Sequence, residues 1–226
     1  SRIKNKTSFI WEKMKFIVAI DGTAASGKGT LAKKTANHFG FKYLDTGILY
    51  RVVAYYLKSA EIHSEISKQN VQDSLRLLIN KDFQLSHLRN EEISLKASII
   101  SKNKIVRDNL LTYQREFAMQ EGGTVLDGRD IGTVVCPNAD IKIFVDADIE
   151  IRAKRRYDQY LKKNSNSNLN LSDIIDDLKK RDYIDKNRQL SPLVSAKDAY
   201  LLDTSNITSD DGLKKIIQII SRKLEK

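Results

Sequence analysis

Short apolar runs alternate with longer amphipathic stretches along most of the chain. Residues 16–20 are continuously apolar and stop at Asp21 and Gly22, as a buried strand would. From Lys28 to Phe39 the apolar positions take up a helical period. The same pattern predicts strands at 43–44, 124–126, 141–145 and 200–202, and helices over 46–58, 104–120, 148–163, 171–187 and 210–223. Strands followed regularly by helices imply an α/β fold: a doubly wound parallel sheet of about five strands, covered on both faces.

Two stretches break the alternation. Residues 60–103 hold a helical patch at 71–80, then two apparent period-2 strands at 83–85 and 93–96 joined by a polar turn. This stretch is expected to be an inserted lobe. Residues 164–170 are an Asn/Ser-rich loop between two charged helices, the kind of connection that permits a mobile lid. Residues 1–14 lack a sustained period and are expected to be a leader outside the fold. The remainder, 15–226, is expected to be one domain. Its core would be 15–59, 104–150 and 191–226, its inserted lobe about 60–103, and its lid and substrate helix about 151–190.

Composition narrows the class. At 41% hydrophobic and 30% charged, the 226 residues are ordinary for a globular domain, which argues against wholesale disorder. One cysteine, Cys136, excludes a disulfide framework, and three scattered histidines do not suit a Cys/His zinc site. No apolar run approaches the ~20 residues of a membrane helix. A cytoplasmic monomer is the expectation. The net charge of +10 invites a nucleic-acid reading, but the charge is unevenly placed. Residues 1–15 carry +4, 16–150 are neutral, 151–190 carry +5 and 191–226 carry +1. A neutral body argues against a broad nucleic-acid surface.

The strongest chemical signal is Gly22-Thr23-Ala24-Ala25-Ser26-Gly27-Lys28-Gly29-Thr30, between the first strand and first helix. Backbone N–H groups of such a loop, a helix N-terminus and the Lys28 ammonium together suit the phosphates of a nucleoside triphosphate. Gly29 separates Lys28 from Thr30, the candidate magnesium ligand. Asp127 ends a strand, where a carboxylate commonly supports magnesium in phosphate-loop enzymes. Arg129 suits bidentate phosphate contact, and Asp130 could accept from the exocyclic amine of cytosine while repelling the O4 of uracil. Arg181, Asp185 and Arg188 fall on one helix face, a spacing that also fits a solvated salt-bridge ladder. Arg152, Arg155 and Arg156 form a second basic cluster before the Asn/Ser loop.

The ending Gly-Lys-Gly-Thr resembles the nucleoside monophosphate kinases. Three further segments match one family of them: Tyr43-Leu-Asp-Thr-Gly-Ile-Leu-Tyr-Arg51, Asp127-Gly-Arg-Asp-Ile-Gly-Thr-Val-Val135 and Arg181-Asp-Tyr-Ile-Asp-Lys-Asn-Arg188. In that order, and with an insert of some forty residues, they resemble the cytidylate kinases of the long bacterial type. The resemblance runs from about Lys15 to the C-terminus. It implies transfer of the γ-phosphoryl group of ATP to CMP or dCMP, with Mg2+. It implies that Thr46, Tyr50 and Arg51 hold the monophosphate, and that Ser98, Arg107 and Asp130 surround the base. Arg181 and Asp185 would meet the sugar and Arg188 the phosphate, with Arg155 and Arg156 on the lid over the triphosphate. Lys28, Arg129, Asp127 and Arg155 would form the catalytic set. Ile184 and Lys186 stand where related chains often carry arginine, so neither is given a phosphate contact.

Two other classes are to be weighed: a kinase for another small acceptor such as UMP, and a basic nucleic-acid-binding protein. A regulatory GTPase is disfavoured, because neither Asn-Lys-x-Asp nor Asp-x-x-Gly occurs in the sequence. Cys136, before Pro137, is expected to be a small buried hydrophobe.

Overall fold

The computed structural model describes residues 14–62, 65–88, 90–163 and 170–225. The expected leader, up to residue 13, and the polar loop at 164–169 lie outside the described residues. Five strands, β1 (Ile17–Gly22), β2 (Lys42–Asp45), β3 (Thr124–Gly128), β4 (Ile141–Asp146) and β5 (Tyr200–Asp203), form one sheet in the order β2-β3-β1-β4-β5. All four pairings are parallel. Val18, Ala19 and Ile20 of central β1 are fully buried, which is why that strand is an unbroken apolar run.

The sheet faces alternate as the pleat requires. Val18, Ile20, Val125, Ile143 and Val145 pack under α1 (Lys28–Phe39) and α8 (Ser209–Leu224), through Leu31, Ala32, Ile216 and Ile220. On the opposite face Ala19 and Leu126 meet Ala118 of α5 (Lys104–Ala118) and a π-helical turn, Ile131–Val135. Cys136 is buried beside that turn, and burial pushes its thiol up to about 11, in keeping with a packing role.

The insert differs from its expected form. Helix α2 (Thr46–Ser59) is followed by α3 (Lys68–Arg76), capped by Ser67 and Asn70 in a reciprocal capping box and extended by a 3-10 turn, Leu77–Ile79. Neither of the two short strands forms. Residues 83–85 run into a 3-10 turn, Leu85–Leu88, and Phe83 packs edge-on against Tyr55 of α2. Residues 93–96 lie inside α4 (Glu91–Ile100). The reason is visible at its start: the Asn90 side chain accepts from the Ile93 N–H at 2.8 Å, a cap worth about 1 kcal/mol. Glu91 and Glu92 then place negative charge in the first turn, and Ile93 and Ala97 bury one helical face against Ala54. Four residues could not separate period 2 from period 3.6.

After β4, α6 (Ile149–Lys163) and α7 (Leu171–Asn187) pack against each other. The α7 helix ends before Arg188, whose backbone is extended, well ahead of Pro192. Among the described residues no helix is long and apolar enough to cross a membrane.

Candidate active site

The carboxyl ends of the parallel strands open onto a cleft of about 830 Å³, the edge at which open α/β sheets bind ligands. The glycine loop closes one end. Gly22 has φ +155°, and a Cβ there would lie 1.9 Å from the Val145 carbonyl oxygen, so only glycine lets β1 turn off beside β4. Left-handed residues Ala25 (φ 60°) and Gly27 (φ 88°) curl the loop onto α1. Gly27 caps that helix with no side-chain bond, which leaves N–H groups of the first turn for a ligand. Ala25 through Thr30 line the cleft; Gly22, Thr23 and Ala24 do not. Those three support the loop instead. The Thr23 hydroxyl donates to Asp146 at 2.6 Å, and the Ala24 carbonyl accepts from Arg152 at 3.0 Å.

Lys28 and Asp127 face each other at the centre. Register sets Asp45 beside Asp127 on neighbouring strands. Burial, and then the Asp45 carboxylate, push the Asp127 pKa up, while burial and the Arg129 guanidinium press the Lys28 pKa down. Tyr43 donates to Asp127 at 3.1 Å, Thr46 donates to the Asp127 carbonyl at 2.8 Å, and Arg51 lies 3.7 Å from Asp45. A protein-only metal cluster is absent among the described residues. Even so, the crowded carboxylates of Asp127 and Asp45, with the Thr30 hydroxyl on the cleft wall, fit a magnesium ion that takes its other ligands from phosphates and water.

The opposite end is a buried ionic pocket. Arg107 pairs with one oxygen of Asp130 and donates to the Ser101 carbonyl at 3.2 Å, while Arg188 lies 3.7 Å from the other Asp130 oxygen. The Arg188 guanidinium also donates to the Ser101 hydroxyl at 3.0 Å, and Tyr50 lies with its ring 5.9 Å from the Arg107 guanidinium. Burial, then the Asp130 carboxylate, raise the Tyr50 pKa. Asp21, at the end of β1, accepts from the N–H groups of Ile131 at 2.8 Å and Gly132 at 2.7 Å, pinning the π-turn that follows Asp130.

Between the two ends, Arg129 donates to Asp185 at 2.7 Å; against the effect of burial, Arg129 holds the Asp185 carboxyl below the usual range. Arg181 is buried, and among the described residues its Nε has no hydrogen-bond partner. Burial, then Arg129, lower its pKa to about 10. Arg155 reaches the glycine loop and the end of β5: it donates to the Thr204 hydroxyl at 2.9 Å, and that hydroxyl donates to the Ser26 carbonyl at 2.8 Å.

Thr46, Tyr50, Arg51, Ser98, Arg129, Asp130, Arg155, Arg156, Arg181, Asp185 and Arg188 therefore line one cleft with Lys28 and Asp127, and Arg107 reaches it through Asp130. Arg152 does not join them. Its guanidinium is consumed by Asp182 at 2.7 Å and by the carbonyls of Ala147 and Ala24. Sequence reasoning missed Ser101, Asp21, Thr204 and Glu91. Glu91 was hidden in the misassigned insert, and Asp21 stood in the open, directly ahead of the glycine loop.

Comparison with known proteins gives a consistent picture. The family model described as cytidylate kinase matches residues 18–222. A cytidylate kinase of Nitrobacter winogradskyi is 45% identical over 204 residues, 90% of this chain and 95% of that protein. One from Bartonella tribocorum is 46% identical over 193 residues, 85% of this chain and 88% of that protein. A crystal structure of an uncharacterized protein from Eubacterium ventriosum superposes with a TM-score of 0.54 at 16% identity, covering 91% of this chain and 98% of that one, a likeness of fold alone.

Proposed function

The chain belongs to the cytidylate kinase family, and from that premise we propose that it transfers the γ-phosphoryl group of ATP to CMP or dCMP, giving ADP and CDP or dCDP. The observation that carries this reading is the sharing of one cleft by residues 25–30 of the glycine loop and the Asp130 pocket clamped by Arg107 and Arg188. A buried carboxylate suits an exocyclic amine and opposes a carbonyl, so the pocket favours cytosine over uracil.

The acceptor is already an ionised phosphate oxygen, so no general base is needed. Catalysis is then positioning and charge neutralisation. Lys28 and the loop N–H groups bind the donor phosphates. Thr46, Tyr50, Arg51 and Arg188 hold the acceptor, Ser98, Asp130 and, through Asp130, Arg107 the base, and Arg181 and Asp185 the sugar. Arg129, Arg155 and Arg156 face the space between donor and acceptor. Thr30, with Asp127 nearby, would hold Mg2+, which supplies charge neutralisation on the donor phosphates when bound. The insert, about 60–103, serves the acceptor side, while 151–190 supplies both the lid arginines on the donor side and the substrate helix that carries Arg181 and Asp185 to the acceptor. The same reading takes the protein to be a monomer acting on free nucleotides in the cytoplasm.

The test is turnover with ATP and magnesium against CMP, dCMP, UMP and AMP. CMP and dCMP are expected to be used at least ~100-fold better in kcat/KM than AMP, a discrimination of about 2.7 kcal/mol. Faster AMP phosphorylation would overturn the assignment. RNA binding that weakens steeply with salt, without CMP-dependent ATP consumption, would favour the nucleic-acid-binding alternative.

A further inference from the structure

Glu91 is the first residue of α4, yet its carboxylate leaves its own helix. One oxygen accepts from Arg156 Nε at 2.8 Å, from a second Arg156 nitrogen and from the Tyr160 hydroxyl, all on α6. The other lies 3.9 Å from Arg181 on α7 and, among the described residues, is the one carboxylate oxygen within 4.0 Å of that guanidinium. Against the effect of burial, Arg156 and Tyr160 hold the Glu91 carboxyl below its usual range, so it is a carboxylate at neutral pH. Next to it, Glu92 turns the other way and pairs with Lys58 of α2 and Lys96.

The same helix carries Ser94, Ala97 and Ser98 on the cleft wall. Ser98 lies seven residues beyond Glu91, about 10 Å along a rigid rod. One end of α4 therefore lines the acceptor pocket while the other is tied to arginines facing the donor and the acceptor sugar. A shift of α4 cannot leave Arg156 and Arg181 where they are without breaking a charged, half-buried cluster.

We infer that Glu91 is a positioning residue that couples occupancy of the acceptor pocket to the placement of Arg156 and Arg181, so that CMP and ATP bind cooperatively. The inference rests on the nucleotide assignments above and deepens them: neither nucleotide needs to touch Glu91 for it to act. Because coupling between two ligands is reciprocal, the same factor must appear whichever nucleotide is added first.

The experiment is titration calorimetry with CMP and a non-hydrolysable ATP analogue plus magnesium, each alone and in the presence of the other. In the wild-type protein each nucleotide is expected to tighten the other about tenfold, within the usual range of coupling. In Glu91→Gln the factor is expected to fall below about twofold, with CMP alone binding within about threefold of wild type. Tyr160→Phe, which removes one donor and leaves every arginine in place, is expected to give an intermediate factor and serves if Glu91→Gln does not fold. A ratio of affinities on folded protein is not moved by lost stability alone. Wild-type coupling retained in both variants, or a wild-type factor near one, overturns the inference. Failure of the wild type to bind either nucleotide overturns the functional reading and this inference with it.

Discussion

Asp21 offers the sharpest quantitative test of the site's construction. Its carboxylate is buried at the end of β1 and accepts two backbone N–H bonds from the π-turn behind Asp130. Burial outweighs those bonds and lifts its pKa from 3.8 to about 6. A carboxyl whose pKa is higher in the folded state holds its proton more tightly there. Its stabilising contribution is thus complete below pH ~4 and is lost as pH rises through ~6, by about 3 kcal/mol in all. Asparagine at this position cannot titrate. It also keeps only one acceptor oxygen, and its amide would set N–H against N–H, forfeiting a bond worth about 1–3 kcal/mol. Urea unfolding of wild type and Asp21→Asn at pH 4, 5, 6 and 7.5 isolates the group, because other titrations cancel in the difference. Wild type should gain most of the 3 kcal/mol relative to the variant between pH 7.5 and 4. At constant pH 7.5 the slackened turn should raise the KM for CMP severalfold and leave that for ATP unchanged. A stability difference flat across the range, or an ATP KM that moves as far as the CMP KM, would refute the reasoning.

Two further outcomes follow from the cleft. Lys28→Ala should lower kcat by about 10²–10³, the usual cost of one preorganised donor to a charged transition state, while calorimetric CMP binding stays within a few-fold; wild-type-like turnover would sink the phosphate-loop assignment. Arg188→Ala leaves Asp130 to Arg107 alone and strips the Ser101 hydroxyl of its guanidinium donor, so the CMP KM should rise at least tenfold, from the loss of charged bonds of about 1.5–3 kcal/mol, with the ATP KM held.

How much of this was legible in the sequence follows from the range of the interactions involved. The phosphate loop, β1 and α1 are local: glycine placement, an apolar run and a helical period follow one another between residues 16 and 39, and the structure repeats them closely. The Arg181-Asp185-Arg188 face was legible as a pattern but not as a fact, since the same spacing fits a solvent ladder; burial of all three separates the two. The insert failed because Ile93-Ser-Leu-Lys96 is too short a window for either period, and the deciding signal was the Asn90 cap three residues upstream. Arg152 and Arg155 look alike in sequence and part company only through tertiary contacts, Arg152 pairing with Asp182 and Arg155 donating to Thr204, while each also reaches a carbonyl of the glycine loop more than a hundred residues away. Such long-range pairings leave no local trace.

The basic excess of residues 151–190 also acquires a structural meaning. Its arginines differ in how far their charge is already answered by protein. Arg152 is fully committed, to Asp182 and two carbonyls. Arg155 is satisfied by neutral oxygens of Thr204 and the glycine loop, which position it without neutralising it. Arg156 leans on Glu91, and Arg188 shares Asp130 with Arg107. Arg181 is the least served, with a carboxylate at 3.9 Å, a buried orphan Nε and a depressed pKa. A buried cation in that state is costly to keep, and a polar or anionic ligand at its Nε removes the cost. The positive charge the sequence concentrates there is thus graded by how far protein answers it, from Arg152, which holds the fold, to Arg181, which lines the cleft with an Nε that no described group satisfies.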